Sequence, residues 1–102
     1  MTPHGNSYLN IKLHHVYVIY DKDTDDIYKY GISHDPIEAD GLSARLRDQL
    51  ALFNRIADWS RFHAEILHQG LQGRLAARQI EQRLIREYKE QHGHRPKGNL
   101  SD

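Results

Sequence analysis

Two runs of β-branched and aromatic residues, His15-Val16-Tyr17-Val18-Ile19-Tyr20 and Ile27 to Ser33, flank the Asp-rich segment DKDTDD at 21–26. This arrangement commits the chain to a local antiparallel hairpin. Branched and aromatic side chains suit a pleated surface, and aspartates support turns through their own side-chain hydrogen bonds. The hairpin is also rich in phenols: Tyr17, Tyr20, Tyr28 and Tyr30, with Lys29 among them. A hairpin that only filled a core would carry more aliphatic residues. Strict alternation puts Tyr28 and Tyr30 on one side and Lys29 on the other. If Lys29 faces a site, the two tyrosines are expected to turn away from it into packing.

After a loop at 34–41, broken by Pro36 and Gly41, residues 42–57 read as a helix, with Leu42, Leu46, Leu50, Phe53 and Ile56 at spacings of three and four. Phe62 to His68 reads as a third strand, and Gly70 and Gly73 bracket a turn. Residues 74–91 read as a second helix, with Ala77, Ile80, Leu84 and Tyr88 on one face and Gly93 as its end. The expected order is β-β-α-β-α, an α+β domain in which a small three-stranded antiparallel sheet is flanked by helices. Residues 1–13 read as a polar arm, and 14–102 as one domain.

Composition narrows the function classes. The 102 residues include no cysteine, which excludes a disulfide framework and a thiolate metal site. No apolar run approaches the length of a membrane span, and the first ten residues lack the pattern of a signal peptide. Formal net charge is zero, but its distribution is uneven. Residues 1–40 hold three Lys and seven acids, whereas residues 41–102 hold eleven Lys or Arg and seven acids. A basic surface able to hold phosphates is therefore possible on the helices, although a solvated helix face explains the same charges.

A first strand ending in Tyr, a second containing Lys29-Tyr30-Gly31, and an Arg-bearing helix together resemble the GIY-YIG endonuclease family. His15-Val16-Tyr17 stands for the first motif and Lys29-Tyr30-Gly31 for the second. Arg45-Leu46-Arg47-Asp48-Gln49 matches the helical Arg, with Gln49 where the family often has His. Glu81 stands for the later helical Glu, and Asn99 in Pro96-Lys97-Gly98-Asn99 for the Asn of a Pro-containing turn. The resemblance runs from about residue 14 to 100. Its flavour is similar to the C-terminal nuclease domains of bacterial polymorphic toxins. It departs from the family pattern at His15, Lys29 and Gln49.

The resemblance implies metal-dependent phosphodiester hydrolysis. Tyr17 is the expected general base, its phenol drawn down by Lys29 across the hairpin. Arg45 is expected to hold the phosphate with its planar fork. Glu81 is expected to bind one Mg²⁺ or Mn²⁺, which keeps most of its water. Asn99 is expected to contact the phosphate or to fix its loop. Arg47, Gln49 and His15 are expected as substrate-binding residues, His15 as a second proton carrier on the face of Tyr17. Without the resemblance, Tyr17 reads as a packed aromatic, and Lys29 and Glu81 as solvated residues. His14-His15 and His92-x-His94 lack the spacing of a metal site. The expected partner is nucleic acid, DNA before RNA, with a cognate immunity protein and no membrane. The expected site of action is a target cell's cytosol, reached as part of a larger toxin. A silent nucleic-acid-binding module on the same fold, or a ribonuclease toxin, is the alternative.

Overall fold

The computed structural model describes residues 13–100. The expected arm lies outside them, apart from Leu13, which opens the first strand. The elements are β1 (Leu13–Asp21), β2 (Asp26–Ser33), α1 (Ala44–Ala57), β3 (Phe62–Gln72) and α2 (Arg74–His92). The sheet order is β2-β1-β3, with both pairs antiparallel. This is the expected α+β architecture, a three-stranded antiparallel sheet flanked by two helices.

β1 is the centre of the molecule. Residues 14 to 19 are all buried, because each face of the sheet carries a helix. On one face Tyr17 and Ile19 pack with Leu46 and Leu50 of α1. On the other, Val18 and Tyr30 pack with Ile85 and Tyr88 of α2. A strand covered on both sides reads as a continuous apolar run, which is how Val16 to Tyr20 reads.

α1 begins two residues later than the periodicity predicts. Ser43 is its N-cap and accepts a hydrogen bond from the Leu46 N–H at 3.3 Å, a device that contributes about 1 kcal/mol. Leu42 lies in the preceding loop and packs on the α1-side core from there. Ile56 is 75 % exposed: the buried stripe runs through Leu46 and Leu50 to Phe53, and a further step of four residues arrives at Ala57. α2 ends at the left-handed Gly93, whose N–H reaches the Lys89 carbonyl at 2.8 Å.

Two irregularities overturn simple alternation. Ile19 pairs with Lys29, yet Tyr20 pairs with Ile27. Tyr28 is therefore the extra residue of a β-bulge. It joins the α1-side core, with ring centroids 5.6 Å from Phe53 and 4.9 Å from Phe62, while Tyr30 packs on the α2 side. The expectation that Tyr28 and Tyr30 share a face is thus corrected by the bulge. On the opposite edge β3 continues to Gln72 rather than turning at Gly70. Gly70 takes φ +70° where β3 gains residues relative to β1, between the pairs Val16–His68 and His14–Leu71.

Two contacts secure β2. The Tyr17 ring lies across Gly31, its direct partner in the ladder. A Cβ at Gly31 would fall 2.2 Å from Tyr17 Cζ. The requirement for glycine here is close approach, not backbone conformation. On the outer edge of β2 the Tyr30 N–H donates to Asn99 Oδ1 at 2.9 Å, and Asn99 Nδ2 donates to the Tyr30 carbonyl at 2.8 Å. The Gly98 N–H donates to the Tyr28 carbonyl at 2.7 Å. The tail thereby satisfies main-chain groups that an edge strand would otherwise leave open.

Gly31→Ala should cost about 1–3 kcal/mol by overpacking, measured by chemical denaturation. Combined with Tyr17→Ala the loss should be less than the sum of the two single losses; additive losses would mean that the ring and the glycine do not meet. Asn99→Ala should cost about 1–3 kcal/mol for two lost hydrogen bonds. It should also speed hydrogen exchange at the Tyr30 amide; unchanged protection there would remove the clasp.

Candidate functional site

The two helices lie on opposite faces of the sheet, and side chains from both reach a cleft beside β1 and β2. Tyr17, Lys29, Arg45, Gln49 and Glu81 all line this one cleft, of about 260 Å³. β1 supplies Tyr17, β2 supplies Lys29, α1 supplies Arg45 and Gln49, and α2 supplies Glu81. Five of the expected residues, spread over more than sixty positions of sequence, therefore converge.

Arg45 and Gln49 project from the same side of α1 because they stand four residues apart. Tyr17 donates its phenolic proton to Gln49 Oε1 at 3.1 Å. A side-chain amide can turn and offer N–H instead, so Gln49 can also serve an ionised Tyr17. Lys29 does not face Tyr17 directly. It pairs with Ile19, two residues along the ladder from the Tyr17–Gly31 pair, and so shares its cleft diagonally.

Electrostatics in the cleft is governed by burial. Burial pushes the Tyr17 phenol up; Arg45 draws it partly back, and Glu81 raises it further. The expectation that Lys29 lowers Tyr17 is thus corrected: desolvation dominates, and the opposing cation is Arg45. Burial pulls the Lys29 ammonium down, opposed by Glu81 and reinforced by Arg45. Burial likewise pushes the Glu81 carboxyl up, against Arg78, Lys29 and Arg74. Each group is driven toward its neutral form, because a low-dielectric wall penalises charge. Among the described residues no ion pair closes on Glu81, so its oxygens remain open to a ligand.

The other expected residues fall elsewhere or take other roles. Arg47 is two positions beyond Arg45 and so points around the helix, away from the cleft. Its guanidinium is held by Glu38 at 2.7 Å and by Asp40 at 2.9 Å. Those partners raise its pKa and bind it to the 34–41 loop, so substrate binding through Arg47 is not what the geometry offers. His15 is buried, its ring 6.4 Å from Tyr17 and its Nε2 without a hydrogen-bond partner among the described residues; it lines a separate depression with His34, Asp35 and Gly70. Burial lowers its pKa; Asp35 opposes this, while His14 and His34 reinforce it. It does not line the Tyr17 cleft, and His14 does. Asn99 has its side chain engaged with Tyr30, which makes it a fastening for its loop.

Sequence reasoning missed His14, His34, Arg74 and Arg78. The rings of His14 and His34 lie 5.5 Å apart, and both line the cleft. Their convergence depends on a loop and an irregular strand end, for which no sequence signal exists. Arg74, Arg78 and Glu81 were legible as an i, i+4, i+7 stripe on α2. Among the described residues no group of three His, Cys, Asp or Glu could hold a metal ion without other ligands. None of their helices is long and apolar enough to cross a membrane.

The family model described as URI fold toxin 2 matches residues 7–93. No curated protein and no solved structure matches. The matched span contains every residue of the cleft and both helices that shape it, and the chain belongs to the URI fold toxin 2 family.

Proposed function

We propose that this toxin-family domain is a phosphodiesterase of the GIY-YIG type, a nuclease that cleaves DNA in preference to RNA. The observation that carries this reading is the single cleft shared by Tyr17, Lys29, Arg45, Gln49 and Glu81. Phosphodiester hydrolysis needs a base for water, a cation on the phosphate and neutralisation of the leaving oxygen. That set of side chains contains a candidate for each. Arg45, exposed at the mouth, holds the non-bridging oxygens with its fork of donors. Tyr17 Oη, once ionised, takes the proton of the attacking water, and Gln49 orients it. Lys29 balances charge on the phosphate.

The divalent ion implied by the resemblance fits the donor set. Glu81 is a half-buried carboxylate with no ion-pair partner among the described residues, and a hard cation can take one such ligand with waters and substrate oxygens. Glu81 would hold Mg²⁺ or Mn²⁺. When bound, the ion supplies charge stabilisation at the leaving oxygen. Arg74, Arg78 and Lys29 favour the ionised Glu81 that such binding needs.

In keeping with its family, the domain would act as an effector delivered within a larger toxin. It would work in the cytosol of a target cell and meet an immunity protein that covers the cleft.

Plasmid DNA and total RNA incubated with Mg²⁺ or with EDTA should show metal-dependent degradation, reduced at least a hundredfold in Glu81→Ala. Full activity in that variant would remove Glu81 from the site. No cleavage of either polymer by the wild type, with salt-sensitive binding retained, would identify a silent binding module instead. Because the folded Tyr17 resists ionisation, turnover should climb with pH toward the alkaline range. Arg45→Gln removes the cation that draws the phenol down, so the rising limb should move to higher pH. A limb in the same place would separate Arg45 from the base, and a limb that survives Tyr17→Phe would discard Tyr17.

A further inference from the structure

A second depression adjoins the cleft along the β2 edge. The two share Lys29, Ile32, Arg74 and Glu81, and the second adds Arg78 and the tail around Asn99. Together they form one continuous trough. Its cationic side chains are Arg45 from α1, Lys29 from β2, and Arg74 and Arg78 from α2; Glu81 is its carboxylate. We infer that Arg74 and Arg78 form a second phosphate subsite, which holds a backbone phosphate of the same polynucleotide strand beside the one at Arg45. The inference rests on the phosphodiester reading of the cleft and adds to it the path of the strand.

Three observations support the subsite. Arg74 and Arg78 are exposed, and among the described residues neither is tied up in an ion pair, whereas Arg47 and Arg61 are. They stand four residues apart on one helix face, about 6 Å along its axis, so both forks address the same stretch of trough. With Arg45 and Lys29 they place four cationic side chains in the trough against the one carboxylate of Glu81, so positive charge there is left unmatched. A guanidinium directed into an open groove suits phosphate, which it can bind through two parallel N–H donors. Gln82 and Asn99 line the same depression and keep it polar, as a site for a charged group requires.

The test is binding of the full chain to a 12-nucleotide DNA and to an RNA of the same sequence, titrated with salt in EDTA. Each phosphate contact on a single strand contributes about 0.7 to the slope of log K against log salt. Arg74→Gln and Arg78→Gln should each reduce the slope by about 0.7 and weaken binding about fivefold at 0.1 M salt. Arg78→Lys should restore the slope. Arg83→Gln removes the same charge from the same helix outside the trough and should leave the slope unchanged. The polymer that shows the larger slope loss is the one the subsite takes.

Wild-type binding with an unaltered slope in both Arg→Gln variants would overturn the subsite and leave the phosphodiester reading intact. So would an equal loss in Arg83→Gln, which would reduce the effect to general charge. Variants that shift only the pH profile of cleavage would show that the arginines act on Glu81 alone. Failure of the wild type to bind either polymer would overturn the subsite and the reading together.

Discussion

The Tyr17 ring pressed against Gly31 is the contact on which the rest of the site depends. The missing Cβ leaves room for the tip of the ring over the neighbouring strand, which brings the phenol of a residue otherwise packed under α1 across to β2. From there its hydroxyl meets Gln49, one helical turn beyond Arg45. A side chain at Gly31 would displace the ring and with it the geometry of three elements. The clasp of Asn99 on Tyr30 completes the arrangement from outside, because it seals the strand edge that carries both Gly31 and Lys29.

A central strand buried on both faces has a further consequence. Chemistry cannot sit on either face of this sheet, since both are filled by helices. It is displaced to the edge where the helices diverge. There Tyr17, Lys29 and Glu81 are sheltered enough to resist ionisation, while Arg45, Arg74 and Arg78 reach water. Sheltered titratable groups beside exposed guanidinium groups leave the cleft with positive charge at its mouth and a low-dielectric wall behind it. The same displacement explains why the residues of the cleft are split among four elements.

Much of the fold was legible because its signals are local. The hairpin announces itself through Asp-rich punctuation, both helices through spacings of three and four, and the end of α2 through Gly93. The failures also have local causes. Tyr28 was assigned a face by alternation, and one extra residue in β2 reversed it. Ile56 fitted a spacing of three, while the true stripe takes a step of four. Arg47 is plausible beside Arg45 until the loop carrying Glu38 and Asp40 is seen to fold back onto its guanidinium. Their contact across a folded-back segment is a tertiary event. Alternation puts His15 on the face of Tyr17, yet β1 is irregular between His14 and Tyr17, and it is His14 that lines the cleft while His15 lines a separate depression.

By itself, the sequence determined the order of elements and the pairing of β1 with β2. These follow from propensity and periodicity, which act over a few residues at a time. Only the tertiary structure decided that Lys29 stands diagonal to Tyr17, that Asn99 fastens a strand, and that Arg74 and Arg78 enter the trough while Arg47 leaves it. It also reversed the expected influence on Tyr17, from a lysine that lowers its pKa to a burial that raises it. The physical reason is the same throughout. Register, bulges and desolvation depend on which distant surfaces meet, and no short window of sequence contains both of them.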